Sequence, residues 1–288
     1  MARLMSELDS WTGEPLNKVR LFDIGSASLR AYIDGSEKSP IALLSNVGCW
    51  YGQTGARKVL HSDPSGWIDI SNSLEYVVWH ERTLFAALDN KSATTIHMGR
   101  SIFAMLHCIC SRLDDKAIWF GNRIISTLIH DSAQKARNRK LVGWQEAPLY
   151  GFALRLFAIW KGLPSFESDL DVQPLGIYED VLDSWFNLSK LEQNLAVACD
   201  YHVHQAFDDS DNDTQEFFVP LYDLFPVEIL AIKRIREDLG QPIPNITHPL
   251  LQTTLAEPPS NLVPSNDQLL NEVSSKVCHD FSLLNPWK

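Results

Sequence analysis

The residues of this chain with the greatest capacity for chemistry lie between Cys199 and Asp223. Asp200, His202, His204, Asp208 and Asp209 are all ligand types for a divalent metal. On a helix, however, side chains two apart point about 200° from one another, so His202 and His204 cannot share an ion. The usable pairs are Asp200 with His204, or His204 with Asp208, and a two-ligand site binds weakly. These residues are therefore expected to cap, hydrogen-bond or contact a partner, and no metal or other cofactor is expected. The run Asp209-x-Asp211-x-Asp213 resembles the start of a calcium loop, but Thr214 stands where the loop needs glycine and Pro220 where it needs glutamate, which excludes an EF-hand. His97, His130-Asp131 and Asp200 could form an HD-type metal phosphohydrolase set, although His279-Asp280 repeats the dipeptide without such a context.

Other catalytic patterns fail on spacing. There is no phosphate-binding glycine loop and no G-x-S-x-G elbow, and Gly25-Ser26-Ala27-Ser28 reads as a helix start or kink. His80-Glu81 has no second histidine at zinc-peptidase spacing. Cys108 and Cys110 fall on divergent faces of an apolar helix beside His107, a poor redox pair. The chain does not read as an enzyme.

Charge is the stronger signal. The 288 residues carry a net charge of −11, and the acidity is local: fifteen acidic residues between Gly162 and Ile232 face a single basic one, Lys190. Within that stretch, aromatics bracket the carboxylates in Phe217-Phe218-Val219-Pro220 and Leu221-Tyr222-Asp223-Leu224-Phe225. Carboxylates steer a basic partner and rings supply buried contact area. The chain's acidity disfavours nucleic acid as a ligand, because phosphate contacts need a basic surface. The one basic run, Lys135, Arg137, Arg139 and Lys140, reads as a loop between helices.

The elements that must position these residues are helical nearly throughout, with apolar residues recurring at three and four. About ten helices are expected in antiparallel hairpins, an all-α, helical-repeat-like architecture. They run over Gly66–Asp89, Ala93–Leu113, Lys116–His130 behind an Asp114 cap, Gln145–Lys161 and Leu175–Phe186. A Ser189/Glu192 capping box opens the next, which runs to Phe207, and Pro220–Leu239 stops at Gly240. A short helix at His248–Ala256 in a proline-rich wrap and a last helix over Asp267–Leu284 complete the set. Residues 1–65, with Gly48, Gly52 and Gly55 around Trp50 and Tyr51, read as an irregular helical segment, a pair of short helices packed at the edge of an all-α domain over 66–288.

Five irregularly spaced cysteines suit a reducing compartment rather than a disulfide framework. Charges through the first thirty residues leave no apolar signal region, and no uncharged apolar stretch reaches the length of a membrane span. A cytoplasmic protein without membrane contact is expected.

Ala198-Cys199-Asp200-Tyr201-His202, an acidic loop, Pro220, Leu224-Phe225-Pro226-Val227-Glu228-Ile229-Leu230-Ala231-Ile232, Gly240 and Thr247-His248-Pro249-Leu250-Leu251 together resemble the immunity protein 49 family. The likeness spans Trp67 to Pro258 and is strongest after Leu191. It implies an all-helical cytosolic protein of a bacterial polymorphic toxin system, one that neutralises a cognate toxin by binding it. The family has no catalytic residue set to carry over. Under that reading the partner is a toxin with a basic surface. Asp208, Asp209, Asp211, Asp213 and Glu216 would steer it, with Asp200 and Asp223 beside them, and Phe217, Phe218, Tyr222 and His202 or His204 would anchor it. A helical scaffold for another protein is the alternative.

Overall fold

A computed structural model describes residues 1–93, 95–133, 141–142, 147–163, 175–206, 216–217, 221–260, 262 and 266–283. The fold is all-α, as expected. Helices α1 (Ala2–Gly13), α2 (Pro15–Lys18), α3 (Ile24–Ile33), α4 (Ile41–Leu60) and α5 (Gly66–Asp89) come first, with a π-turn at Val19–Asp23 joining α2 to α3. Then follow α6 (Met98–Cys110), α7 (Asp114–Ala133), α8 (Pro148–Lys161), α9 (Ile177–Asp183), α10 (Leu188–Gln205), α11 (Val227–Asp238) and α12 (Gln268–Asp280). Among the described residues the strand content is one short parallel pair, Ile96–His97 with Leu141–Val142. The chain forms two compact units, Met1–Thr94 with Glu257–Lys288, and Thr95–Ala256.

In the first unit the N-terminal segment is helical, as expected, but holds four helices rather than a short pair, the last of them twenty residues long. Gly48, Gly52 and Gly55 recur at four and three, so they share one face of α4, and all three are buried. Their missing side chains let α4 lie against α5. A Cβ on Gly55 would sit 2.8 Å from the Gly66 carbonyl, and one on Gly48 would sit 3.1 Å from the Tyr76 Cβ. These glycines are a packing surface, and that close approach offsets the propensity cost of about 1 kcal/mol per glycine. The division expected at 65/66 falls in the short link of this antiparallel hairpin, inside one unit. Its core joins Leu29 and Tyr32 of α3, Leu44 and Val47 of α4, Tyr76 and Trp79 of α5, and Leu270, Val273 and Val277 of α12. Asp267 caps α12 by accepting from the Leu270 N–H at 3.0 Å, and also accepts from the Tyr51 hydroxyl at 2.9 Å.

The second unit is built on α6 and α8, both buried nearly all round. α6 begins after His97, whose ring accepts from the Gly99 N–H at 3.3 Å, and α8 begins at Pro148, suited to a first helical position. Gly162 (φ +61°) and Gly240 (φ +65°) take the left-handed conformation at the expected stops of α8 and α11. Other ends differ. α9 ends at Asp183, and α10 is capped by Asn187, which accepts from the Lys190 N–H at 3.2 Å. Ser189 already lies inside that helix, and Glu192 instead accepts from the Asn245 N–H at 2.7 Å, pinning the proline-rich loop. α11 starts at Val227 because Leu221 to Leu224 form turns, and His248–Ala256 resolves into two 3-10 turns, Pro249–Gln252 and Thr254–Ala256. The basic run at 135–140 lies outside the described residues.

Candidate functional site

The twelve residues expected to face a partner divide sharply. Asp208, Asp209, Asp211, Asp213 and Phe218 lie outside the described residues. Asp200 and His204 are exposed on α10, and Asp200 accepts from His248 Nε2 at 3.1 Å. Asp223 is half-buried and its carboxylate accepts from the Leu224 N–H at 3.0 Å. His202, Glu216, Phe217 and Tyr222 are buried, which corrects their assignment as surface contacts. The reason for His202 is helical period. Leu191, Leu195, Ala198 and Cys199 form the inner face of α10, and position 202 continues it, while His204 points away.

These buried residues form one polar and aromatic cluster. His202 Nδ1 lies 2.9 Å from Glu228 Oε1, with both side chains fully buried. Its Nε2 faces the Asp223 carbonyl oxygen at 3.3 Å. Glu228 stands in the first turn of α11, where the helix N-terminus favours a carboxylate. Phe217 packs on the His202 ring at 3.9 Å and on Phe103 of α6 at 5.7 Å. Tyr222 stacks on Phe103 at 4.7 Å, and its hydroxyl meets His107 Nδ1 at 3.1 Å. Burial holds His107 neutral, with its pKa down at about 3. Glu216 accepts from the Leu149 N–H, filling an open donor at the start of α8. Burial pushes the Glu216 carboxyl up to about 7, against hydrogen bonds from Tyr201 and Leu149 that favour its ionised form. Such an enclosed network serves the fold, because a buried carboxylate that loses its partner destabilises a protein by about 3–5 kcal/mol.

A different part of the unit presents acid and aromatic side chains outward. α9 buries Tyr178 and Val181, the former stacked on Phe152 at 4.4 Å, and exposes Glu179, Asp180 and Asp183. The turn after it buries Trp185 and leaves Phe186 90% exposed. The turn is fixed from several sides. Arg236 of α11 donates to the Trp185 carbonyl at 2.6 Å and to the Pro242 carbonyl at 2.8 Å, with its guanidinium 5.1 Å from the Trp185 ring. Asn194 of α10 donates to the Asp180 carbonyl at 2.7 Å and to Ser184 Oγ at 3.0 Å. Ile243, next to Pro242, is half exposed. Phe186 is the residue that reading the sequence missed, counted there as the end of a helix. The local signal was an aromatic pair before an asparagine cap.

Among the described residues, no three His, Cys, Asp or Glu side chains are gathered as metal ligands. His97 caps α6, Asp200 pairs with His248, and His130 is exposed beside buried Asp131. Cys108 is buried, and burial pushes the Cys110 thiol up to about 12, so neither is a reactive thiolate. No described helix is long and apolar enough to cross a membrane. Compared with known proteins, the chain matches no family model, no curated protein and no solved structure.

Proposed function

We propose that this chain is an immunity protein that binds and neutralises a secreted antibacterial toxin, through a surface that is strongly acidic. The observation that carries the reading is the imbalance of fifteen acidic residues against one basic residue from Gly162 to Ile232. Among them Glu179, Asp180, Asp183 and Asp200 are exposed. The resemblance of Ala198 to Leu251 to the immunity protein 49 family supports the same role. An enzyme acting on nucleic acid or nucleotides presents a basic cleft, and an acidic surface fits it with fast, salt-sensitive association. On this proposal the protein works in the cytosol by stoichiometric binding, without cofactor or chemistry of its own.

The test is survival of cells that express a candidate toxic domain taken from the genes flanking this one, with and without the chain. Rescue supports the proposal, and growth arrest despite folded protein contradicts it. Replacing Asp209, Asp211 and Asp213 by Lys is expected to abolish rescue without lowering the melting temperature. Unchanged rescue would move the interface to other carboxylates. The scaffold alternative is favoured by the long α4–α5 hairpin, and it would hold if the chain fails to rescue yet retains a stable partner.

A further inference from the structure

We propose that Phe186, with Ile243 beside its turn, is the anchor of a docking surface that packs into an apolar pocket of a partner protein whose rim carries Lys and Arg. This deepens the immunity reading and rests on it for the class of partner. Phe186 is 90% exposed, the most exposed large apolar side chain among the described residues. It is held out by design of the turn rather than by slack in the chain. Trp185 before it is buried, and its carbonyl is taken by Arg236 Nη1 at 2.6 Å. The same guanidinium takes the Pro242 carbonyl, so the residues following both carbonyls, Phe186 and Ile243, are fixed from one point. With its backbone held in place, an exposed aromatic loses less conformational entropy on binding than one on a loose loop.

Charge selects the occupant. Exposed Glu179, Asp180 and Asp183 lie on the helix that leads into the Phe186 turn, and Lys190 is the single basic residue between Gly162 and Ile232. A second copy of this chain would bring acid against acid, and an anionic membrane would be repelled in the same way. A basic partner gains from both the rings and the charges.

The experiment selects a displayed library of random linear peptides on the full chain. The enriched peptide is then titrated against wild type, Phe186→Ala and Ile68→Ala at low and high salt. Ile68 is half exposed in the first unit and serves as the control. Enriched peptides are expected to combine an aromatic or aliphatic residue with Lys or Arg. Their binding should weaken at least tenfold in Phe186→Ala, weaken with salt, and stay unchanged in Ile68→Ala, with the melting temperature of Phe186→Ala equal to wild type. The proposal is overturned by the absence of enrichment, by peptides without basic residues, or by binding indifferent to Phe186→Ala. Self-association of wild type that Phe186→Ala abolishes would overturn it in favour of a second copy. No toxin enters this experiment, so its failure is separate from a failure of rescue.

Discussion

Two regions of the second unit are made of the same side-chain types and do opposite things. Around His202, Glu216 and Glu228 the carboxylates are enclosed with Phe217, Tyr222 and Phe103, while around Phe186 the carboxylates of Glu179, Asp180 and Asp183 stand in water. Acid beside aromatic is therefore not by itself a binding signature. What separates the two is where the remaining hydrogen-bonding capacity goes. In the cluster one oxygen of each glutamate is engaged in the fold, Glu228 Oε1 with His202 and Glu216 Oε1 with an N–H of α8. At the corner, the backbone carbonyls are taken by Arg236 and Asn194, Glu179 accepts from the Leu175 N–H at 3.2 Å, and Asp180 and Asp183 are exposed to solvent or a partner.

The largest effect that sharpens this contrast is His202→Ala, which strands Glu228 without its partner. It should lower stability by about 3–5 kcal/mol, measured by urea unfolding. A loss below about 1 kcal/mol would mean that Glu228 finds another partner and that the cluster is not closed. Glu216 comes next. Its carboxyl titrates near 7 in the folded chain against an ordinary 4.5, so the folded state binds more protons between those values. Stability should therefore fall as pH rises from about 4.5 to about 7, by up to about 3 kcal/mol, and level off above. Glu216→Gln keeps an acceptor for Leu149 and cannot ionise, so a pH series of melting curves should lose that fall. An identical slope in the variant would break the assignment. Tyr222→Phe removes the hydroxyl that meets His107 and should cost about 1–2 kcal/mol with the stacking on Phe103 retained. The smallest effect is at the corner. Phe186→Ala should stay within about 0.5 kcal/mol of wild type, because almost none of that ring is buried. A larger loss would make it part of the core after all.

Much of the helical framework was legible. α5 runs over Gly66–Asp89 as its apolar period predicts, and the stops at Gly162 and Gly240 follow from glycine in the left-handed region. The inner face of α10 was readable too, and it already included position 202. The polarity of histidine argued for the surface and concealed this, because its partner Glu228 arrives only with the tertiary fold. The glycines of α4 had no role legible in the sequence for a related reason: their spacing marks one face, but only the approach of α5 makes that face useful. Which of Trp185 and Phe186 points inward is decided by Arg236, some fifty residues on in the chain, so no local pattern could give it.

The central claim is that an acidic protein surface holds one basic toxin. It is tested most directly by affinity purification of the tagged full chain from the organism that makes it at low and high salt, with partners identified by mass spectrometry. The account predicts one dominant partner, with a secretion-linked N-terminal region and a toxic C-terminal domain, partly released as salt rises. Recovery of housekeeping proteins alone, or of no protein at either salt concentration, would contradict it.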